Sequence, residues 1–175
     1  MDTAVTRTGL RKLEEQPDNK GWRINDRRLF IKGSNYIGSP WLGTMTRNKY
    51  RQDFALVEKM NANAIRVHGH VAGRALYEVA DEMGLMIWQD VPLQWGYDNS
   101  VAFADNAVRQ TRDMVEQFGN SPAIIVWGGH NEPPWNSPWM EKRFPDWNKT
   151  LNQSLTKRVG DTLAEDTSRI AVSYT

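Results

Sequence analysis

The chain has 175 residues, a net charge of +1 at pH 7 and no cysteine. The near-zero charge and the absence of Lys/Arg blocks argue against a nucleic-acid or anionic-membrane partner, and the lack of cysteine excludes disulfides and thiolate chemistry. No apolar run approaches ~20 residues, so we expect no transmembrane helix. The first residues also lack the apolar region of a signal peptide, and the compartment stays open.

Strand-like and helix-like segments alternate along the chain after a polar N-terminal stretch. Residues 23–28 predict a short hairpin around the turn-prone pair Asn25-Asp26. Apolar runs predict five strands, and apolar positions at helical spacing predict four helices. The predicted strands are residues 29–37, 64–68, 85–91, 123–127 and 170–174, and the predicted helices are residues 46–61, 74–83, 101–118 and 148–165.

Residues suited to helix ends support these boundaries. Thr46 can cap the start of the first helix, and Gly84 and Gly119 follow the second and third. Apolar strands alternating with helices indicate a parallel sheet in an α/β fold. Five strands fit a small doubly wound sheet, or just over half of a (β/α)8 barrel, which needs ~250 residues.

Polar and aromatic residues follow several predicted strands at their carboxyl ends, where parallel α/β proteins place their chemistry. At or just beyond their carboxyl ends the strands carry, in order, Asn35; Arg66, His68 and His70; Trp88, Asp90 and Trp95; and His130, Asn131, Glu132 and Trp135. This convergence predicts a binding site on one rim of the sheet.

Glu132 is the candidate catalytic residue because it stands at the end of the apolar run 124–127. Glycoside hydrolysis needs two carboxyls, one of which is a proton donor with a raised pKa, and burial after such a strand would favour the neutral acid. Asn131 can bind a sugar hydroxyl, and Arg66 can keep a second carboxylate ionised. Simpler alternatives remain: Asn-Glu-Pro can start a helix, Arg66 can pair with a helix carboxylate, and Asp90 can be an N-cap or turn residue.

Eight tryptophans also favour a carbohydrate ligand, because flat aromatic faces suit the C–H surfaces of sugar rings. Several of them follow strands or lie in loops rich in Pro and Gly, such as Trp41, Trp95, Trp135 and Trp139. Packing within the loops is the alternative explanation for each.

Six segments in order along the chain resemble glycoside hydrolase family 2. They are residues 8–12, 31–35, 63–67, 80–85, 88–90 and 127–133. The resemblance implies that residues 1–17 end an immunoglobulin-like domain, that residues 18–175 are the N-terminal part of a TIM barrel, and that Glu132 is the acid/base. The segments at Arg66 and at 88–90 are more similar to β-mannosidases than to β-galactosidases. These segments rank a mannoside first, ahead of a glucoside, galactoside or glucuronide, although His68 stands where β-mannosidases often have Trp.

The resemblance also implies a nucleophile, a second glutamate near the seventh strand, that these 175 residues do not include. We therefore expect a retaining glycosidase of which this chain is a fragment, inactive in isolation and able to associate through its open sheet edges. No cofactor is expected. Two alternatives stay open: a metal-dependent hydrolase using His68, His70 and Asp90, and a non-catalytic sugar-binding fragment.

Overall fold

The computed structural model describes residues 2–3, 5, 7–16, 21–143 and 150–175. The predicted hairpin is confirmed, and it belongs to a small antiparallel sheet of β1 (Leu13–Glu15), β2 (Trp22–Ile24) and β3 (Arg27–Leu29). Asn25 and Asp26 turn the chain between β2 and β3 with φ of 49° and 64°. Two consecutive positive φ values suit a tight turn between antiparallel strands, and Asn and Asp tolerate them well.

Five parallel strands form the main sheet, as the alternation predicted. They are β4 (Gly33–Tyr36), β5 (Ala64–Val67), β6 (Met86–Asp90), β7 (Ile124–His130) and β8 (Ile170–Tyr174). The helices are α1 (Arg47–Lys59), α2 (Arg74–Met83), α3 (Val101–Phe118), the short α4 (Pro138–Arg143) and α5 (Gln153–Leu163).

The strand order distinguishes the two architectures that the sequence left open. The strands lie side by side in chain order, β4-β5-β6-β7-β8, without the reversal of a doubly wound sheet. This is the order of consecutive strands in a (β/α)8 barrel. The described part of the chain is therefore a partial TIM barrel, with β4 and β8 at the edges of an open sheet.

Local chemistry explains the helix boundaries. Thr46 accepts a hydrogen bond from the Lys49 amide at the start of α1, and Ser100 does the same for Phe103 in α3. Gly84 ends α2 in the left-handed conformation at φ 71°. The last helix begins later than predicted, at Gln153, and residues 148–149 of that prediction lie outside the described residues.

Two strand predictions were wrong in their extent. The segment 29–37 is not one strand, because Leu29 pairs with Trp22 in the antiparallel hairpin and the parallel sheet begins at Gly33. The strand predicted to end at Trp127 continues to His130. Glycine suits positions 128 and 129 of this strand because the neighbouring strands leave no space for a Cβ. A Cβ at Gly128 would meet Asp90 and Trp88, and a Cβ at Gly129 would meet the backbone of Ser173.

The main core lies between the parallel sheet and the helices, and includes Phe54, Leu76, Ile87, Trp127 and Val159 with essentially no exposed surface. A smaller cluster on the other face joins Ile125 and Val126 to residues of the hairpin sheet. Apolar contacts therefore fill both faces at mid-strand, and the polar residues gather at the carboxyl ends of the strands. None of the helices in the described residues is long and apolar enough to cross a membrane.

Candidate functional site

A partly buried ion pair joins the ends of β5 and β6. The Nε of Arg66 donates to both carboxylate oxygens of Asp90, at 3.1 and 2.9 Å, and its Nη2 lies 2.8 Å from Oδ2. Asp90 has no exposed surface and also accepts from the Gly69 amide at 3.3 Å. Asp90 is thus an anchor at the end of β6 and neither a helix N-cap nor a free nucleophile.

Arg66 also orients the amide that precedes Glu132. Its Nη2 donates to the Oδ1 of Asn131 at 2.9 Å and lies 2.7 Å from the hydroxyl of Thr175. That hydroxyl is itself 3.3 Å from the Asn131 Oδ1. Because Oδ1 accepts these bonds, the NH2 group of Asn131 is left as a donor that a sugar hydroxyl could accept from. Arg66 thus pairs with a strand-end carboxylate and not with a helix.

Glu132 stands just beyond β7 with an unusual backbone conformation. Its φ is 45°, in the left-handed region that few residues other than glycine adopt. Its amide donates to the Thr175 carbonyl at 2.7 Å, and its half-buried carboxylate accepts from the indole Nε1 of Trp95 at 3.0 Å. Backbone strain of this kind concentrates at functional sites.

Trp95 shares this conformation, with φ of 61°, in the loop between β6 and α3. The loop is fastened to the end of β7, since the Trp95 amide donates to the Asn131 carbonyl at 3.0 Å and the Asn131 amide to the Leu93 carbonyl at 2.9 Å. The side chain of Asn152 bonds both backbone groups of Tyr97, at 2.7 and 3.1 Å. The loop is therefore held on both sides of the Trp95 side chain.

His130 lies elsewhere than expected for a substrate-binding residue. Its side chain has no exposed surface, its Nδ1 is 2.9 Å from the hydroxyl of Thr156, and its Nε2 is 2.6 Å from the carbonyl of Trp95. Burial lowers the pKa of His130 to about 4. With both ring nitrogens engaged inside the protein, His130 has no group left to offer a ligand.

The donors of the proposed metal site do not converge. β5 ends at Val67, so His68 and His70 do not share a strand face, and Gly69 between them turns the chain at φ 67°. His68 Nδ1 is 3.2 Å from Asp90, whereas His70 Nδ1 is 3.1 Å from the His68 carbonyl. Within the described ranges, no three His, Asp or Glu side chains are grouped so that they could hold a metal ion.

The remaining predicted residues surround this network to different degrees. Trp88 lies under Arg66, whose guanidinium is 5.5 Å from the ring centre, and its half-buried indole also packs on the smaller core cluster. Trp135 meets Tyr174 edge to face at 4.6 Å. Asn35 is exposed on β4, in register with Arg66.

Three residues near the site were not among the predicted site residues. Trp139, 41% exposed on α4, packs edge to face against the 47%-exposed Trp95 at 5.8 Å. Thr175, which follows β8, is hydrogen-bonded to Arg66, and Thr156 of α5 is hydrogen-bonded to His130. Threonines carry no sequence signal for such roles, but Trp139 is one of the loop tryptophans that favoured a carbohydrate ligand. Trp127, by contrast, is a core residue whose indole donates to Asp166 at 2.9 Å.

Comparison with known proteins gives a consistent set of similarities. Residues 18–162 match the family model described as glycosyl hydrolases family 2, TIM barrel domain. β-Mannosidase B of Thermothelomyces thermophilus is 30% identical over 144 residues, which are 75% of this chain and 17% of that protein. The β-glucuronidase of Bacteroides fragilis is 27% identical over 141 residues, 75% of this chain and 20% of the relative.

Solved structures agree with these relatives. The β-D-mannosidase from Dictyoglomus thermophilum superposes with a TM-score of 0.81 at 28% identity, covering 99% of this chain and 22% of that one. Bacteroides uniformis β-glucuronidase 2, solved covalently bound to cyclophellitol-6-carboxylate aziridine, gives 0.76 at 26% identity, covering 93% and 20%. The chain spans about a fifth of the length of these relatives.

Proposed function

The chain belongs to glycosyl hydrolases family 2 and carries part of the family's TIM barrel domain, and from this premise we propose that Glu132 is the general acid/base of a β-glycosidase. The observation that carries the proposal is the strained backbone of Glu132 at the carboxyl end of β7, with its carboxylate held by the indole of Trp95. A general acid must present its carboxyl to the glycosidic oxygen in a fixed orientation. Since Trp95 occupies Oε2, the Oε1 of Glu132 is the oxygen that would carry the proton.

We propose a retaining mechanism, in which a second carboxylate ~5–5.5 Å away attacks the anomeric carbon. Asp90 is enclosed and paired with Arg66, so it does not supply that group. We assign the nucleophile to the part of the barrel that the longer relatives have in addition to the region matched here. The covalent ligand reported for Bacteroides uniformis β-glucuronidase 2 supports covalent chemistry in this family.

For the substrate we propose a β-mannoside, with a β-glucuronide as the second candidate, because both activities are named among the relatives. In this proposal the Asn131 NH2 group donates to a sugar hydroxyl next to the reacting carbon. Trp88, Trp95, Trp135, Asn35 and His68 line the sugar site at the strand ends. We also propose that residues 1–17 end an immunoglobulin-like domain.

The test grafts residues 18–175 into the matching segment of the Dictyoglomus thermophilum β-mannosidase. We expect Glu132→Ala in this graft to slow β-mannosides with poor alkyl leaving groups by about 10²–10⁴-fold. The kcat/KM of dinitrophenyl β-mannosides, which reports glycosylation, should fall much less, because such leaving groups need no protonation. Their kcat should still fall, because hydrolysis of the glycosyl-enzyme needs the general base. The control is Glu116→Ala, which removes an exposed glutamate of α3 and should leave both rates unchanged. An equal fall in kcat/KM for both substrate classes in Glu132→Ala would contradict the acid role.

The 175-residue chain alone should not hydrolyse 4-nitrophenyl β-glycosides, because the proposal places the nucleophile outside it. Turnover by the purified chain that disappears in Glu132→Ala would overturn that placement.

A further inference from the structure

His130 reaches away from the sugar site and holds the backbone of Trp95. Its Nε2 lies 2.6 Å from the Trp95 carbonyl, across the gap between β7 and the loop after β6. A carbonyl oxygen only accepts hydrogen bonds, so Nε2 must carry the proton and donate it. In a neutral ring Nδ1 is then the acceptor, and the Thr156 hydroxyl of α5 donates to it at 2.9 Å.

Three successive residues at the end of β7 therefore hold three different groups of one tryptophan. The His130 imidazole binds the Trp95 carbonyl, the Asn131 carbonyl accepts from the Trp95 amide, and the Glu132 carboxylate accepts from the indole. These contacts fix the carbonyl, the amide and the ring of the same residue. The direction of the indole relative to Glu132 is thereby set by the backbone of Trp95.

That backbone would not keep its conformation unaided. Trp95 has φ of 61°, and a non-glycine residue in the left-handed region persists only where its surroundings hold it. Trp95 is also 47% exposed, so packing covers only part of its side chain. The fully buried imidazole is the rigid contact on the carbonyl side of this residue.

We propose that His130 is a positioning residue, which holds the Trp95 carbonyl and thereby aims the indole that orients Glu132. The inference rests on the proposed function of Glu132 and adds a residue that does not touch substrate. Burial keeps the imidazole neutral near pH 7, which suits a ring that must accept from Thr156 while donating to Trp95. A glutamine at this position could still donate to the Trp95 carbonyl, whereas a leucine could not.

The experiment follows the indole N–H signals of the ¹⁵N-labelled 175-residue chain by NMR, with the Trp95 signal assigned from Trp95→Phe. In His130→Leu we expect the Trp95 signal to move to its position in Glu132→Ala and its hydrogen exchange to become about tenfold faster. In His130→Gln the signal should stay near its wild-type position. The Trp127 indole, bound to Asp166, is the internal control for folding.

An unchanged Trp95 signal in His130→Leu, with the Trp127 signal in place, would overturn the proposal. So would failure of His130→Gln to preserve the signal while the Trp127 control is retained. The wild-type chain provides a test that needs no variant: ring ¹⁵N shifts at pH 7 should show His130 protonated at Nε2 and bare at Nδ1, and the opposite tautomer would contradict the proposal.

None of these readouts uses turnover. A grafted enzyme whose rates do not depend on Glu132 would reject the proposed function and leave the positioning result standing. A Trp95 signal indifferent to His130 would reject the positioning role and leave the acid role standing.

Discussion

The buried imidazole of His130 should make the stability of the fold depend on pH. Burial lowers the pKa of His130 from 6.5 to about 4, because the charged ring would lose its hydration. As the pH falls, His130 therefore binds a proton near pH 6.5 in the unfolded chain but only near pH 4 in the folded chain. At about 1.4 kcal/mol per pKa unit, this difference is worth about 3 kcal/mol of folding free energy.

The direction follows from which state holds more protons. The contribution of His130 is fully present above pH 6.5, is lost progressively as the pH falls from 6.5 to about 4, and changes no further below that. The loss of about 3 kcal/mol is a large part of the ~5–15 kcal/mol that stabilises a typical domain. We expect the midpoint of urea unfolding to fall steeply in this interval.

The assay is urea unfolding followed by tryptophan fluorescence at several pH values between 7.5 and 4 for the wild type and for His130→Gln. Glutamine does not titrate, so the difference between the two proteins isolates His130 from the half-buried His68 and His70. The free energy of unfolding of the wild type, measured relative to that of His130→Gln, should decrease by about 3 kcal/mol as the pH falls from 7.5 to 4. Parallel curves for the two proteins across this range would refute the reasoning.

Three further outcomes follow from the structure. Asp166→Asn should lower the free energy of unfolding in urea at pH 7 by about 1 kcal/mol, once solvent screening of this partly exposed carboxyl is allowed for. Burial raises the pKa of the Asp166 carboxyl, but the hydrogen bonds from Ser168 and Trp127 outweigh it and hold the pKa at about 2 against 3.8, so this stabilisation is lost only as the pH falls from 3.8 to about 2. Gly69→Ala should lower the thermal midpoint, since an alanine Cβ at φ 67° would collide with the Gln94 amide, and a normal midpoint would contradict this. Trp139→Ala in the graft should raise KM for disaccharides with little effect on kcat, because the indole lies beside Trp95 at the rim and would contact the substrate there. An unchanged KM would show that Trp139 does not contact the substrate.

The elements most visible in the sequence were those with strong local signals. Thr46 and Gly84 mark helix ends through their own hydrogen bonds and backbone conformation, and both predictions were confirmed. The prediction of residues 29–37 as one strand was wrong because the apolar pattern of this segment runs through two different sheets. Leu29 pairs with an antiparallel neighbour, a tertiary choice that periodicity does not encode.

The residues of the candidate site were also only partly predictable from the sequence. The carboxyl ends of parallel strands meet at one edge, so the meeting of Arg66, Asp90 and Asn131 could be expected from their positions after strands. The burial of His130 could not be predicted from the sequence, because it depends on Thr156 and on the loop that turns at Trp95. Left-handed conformations of Trp and Glu have no sequence signature, so the contact between Trp95 and Glu132 needed the structure.

The central claim, that Glu132 protonates the leaving group of a retaining β-glycosidase, is tested most directly by adding azide to the grafted enzyme carrying Glu132→Ala. Azide needs no general base, so it should restore turnover of a dinitrophenyl β-mannoside and yield the β-mannosyl azide, with retained configuration. An α-configured azide product, or no azide product and no change in rate, would contradict the account.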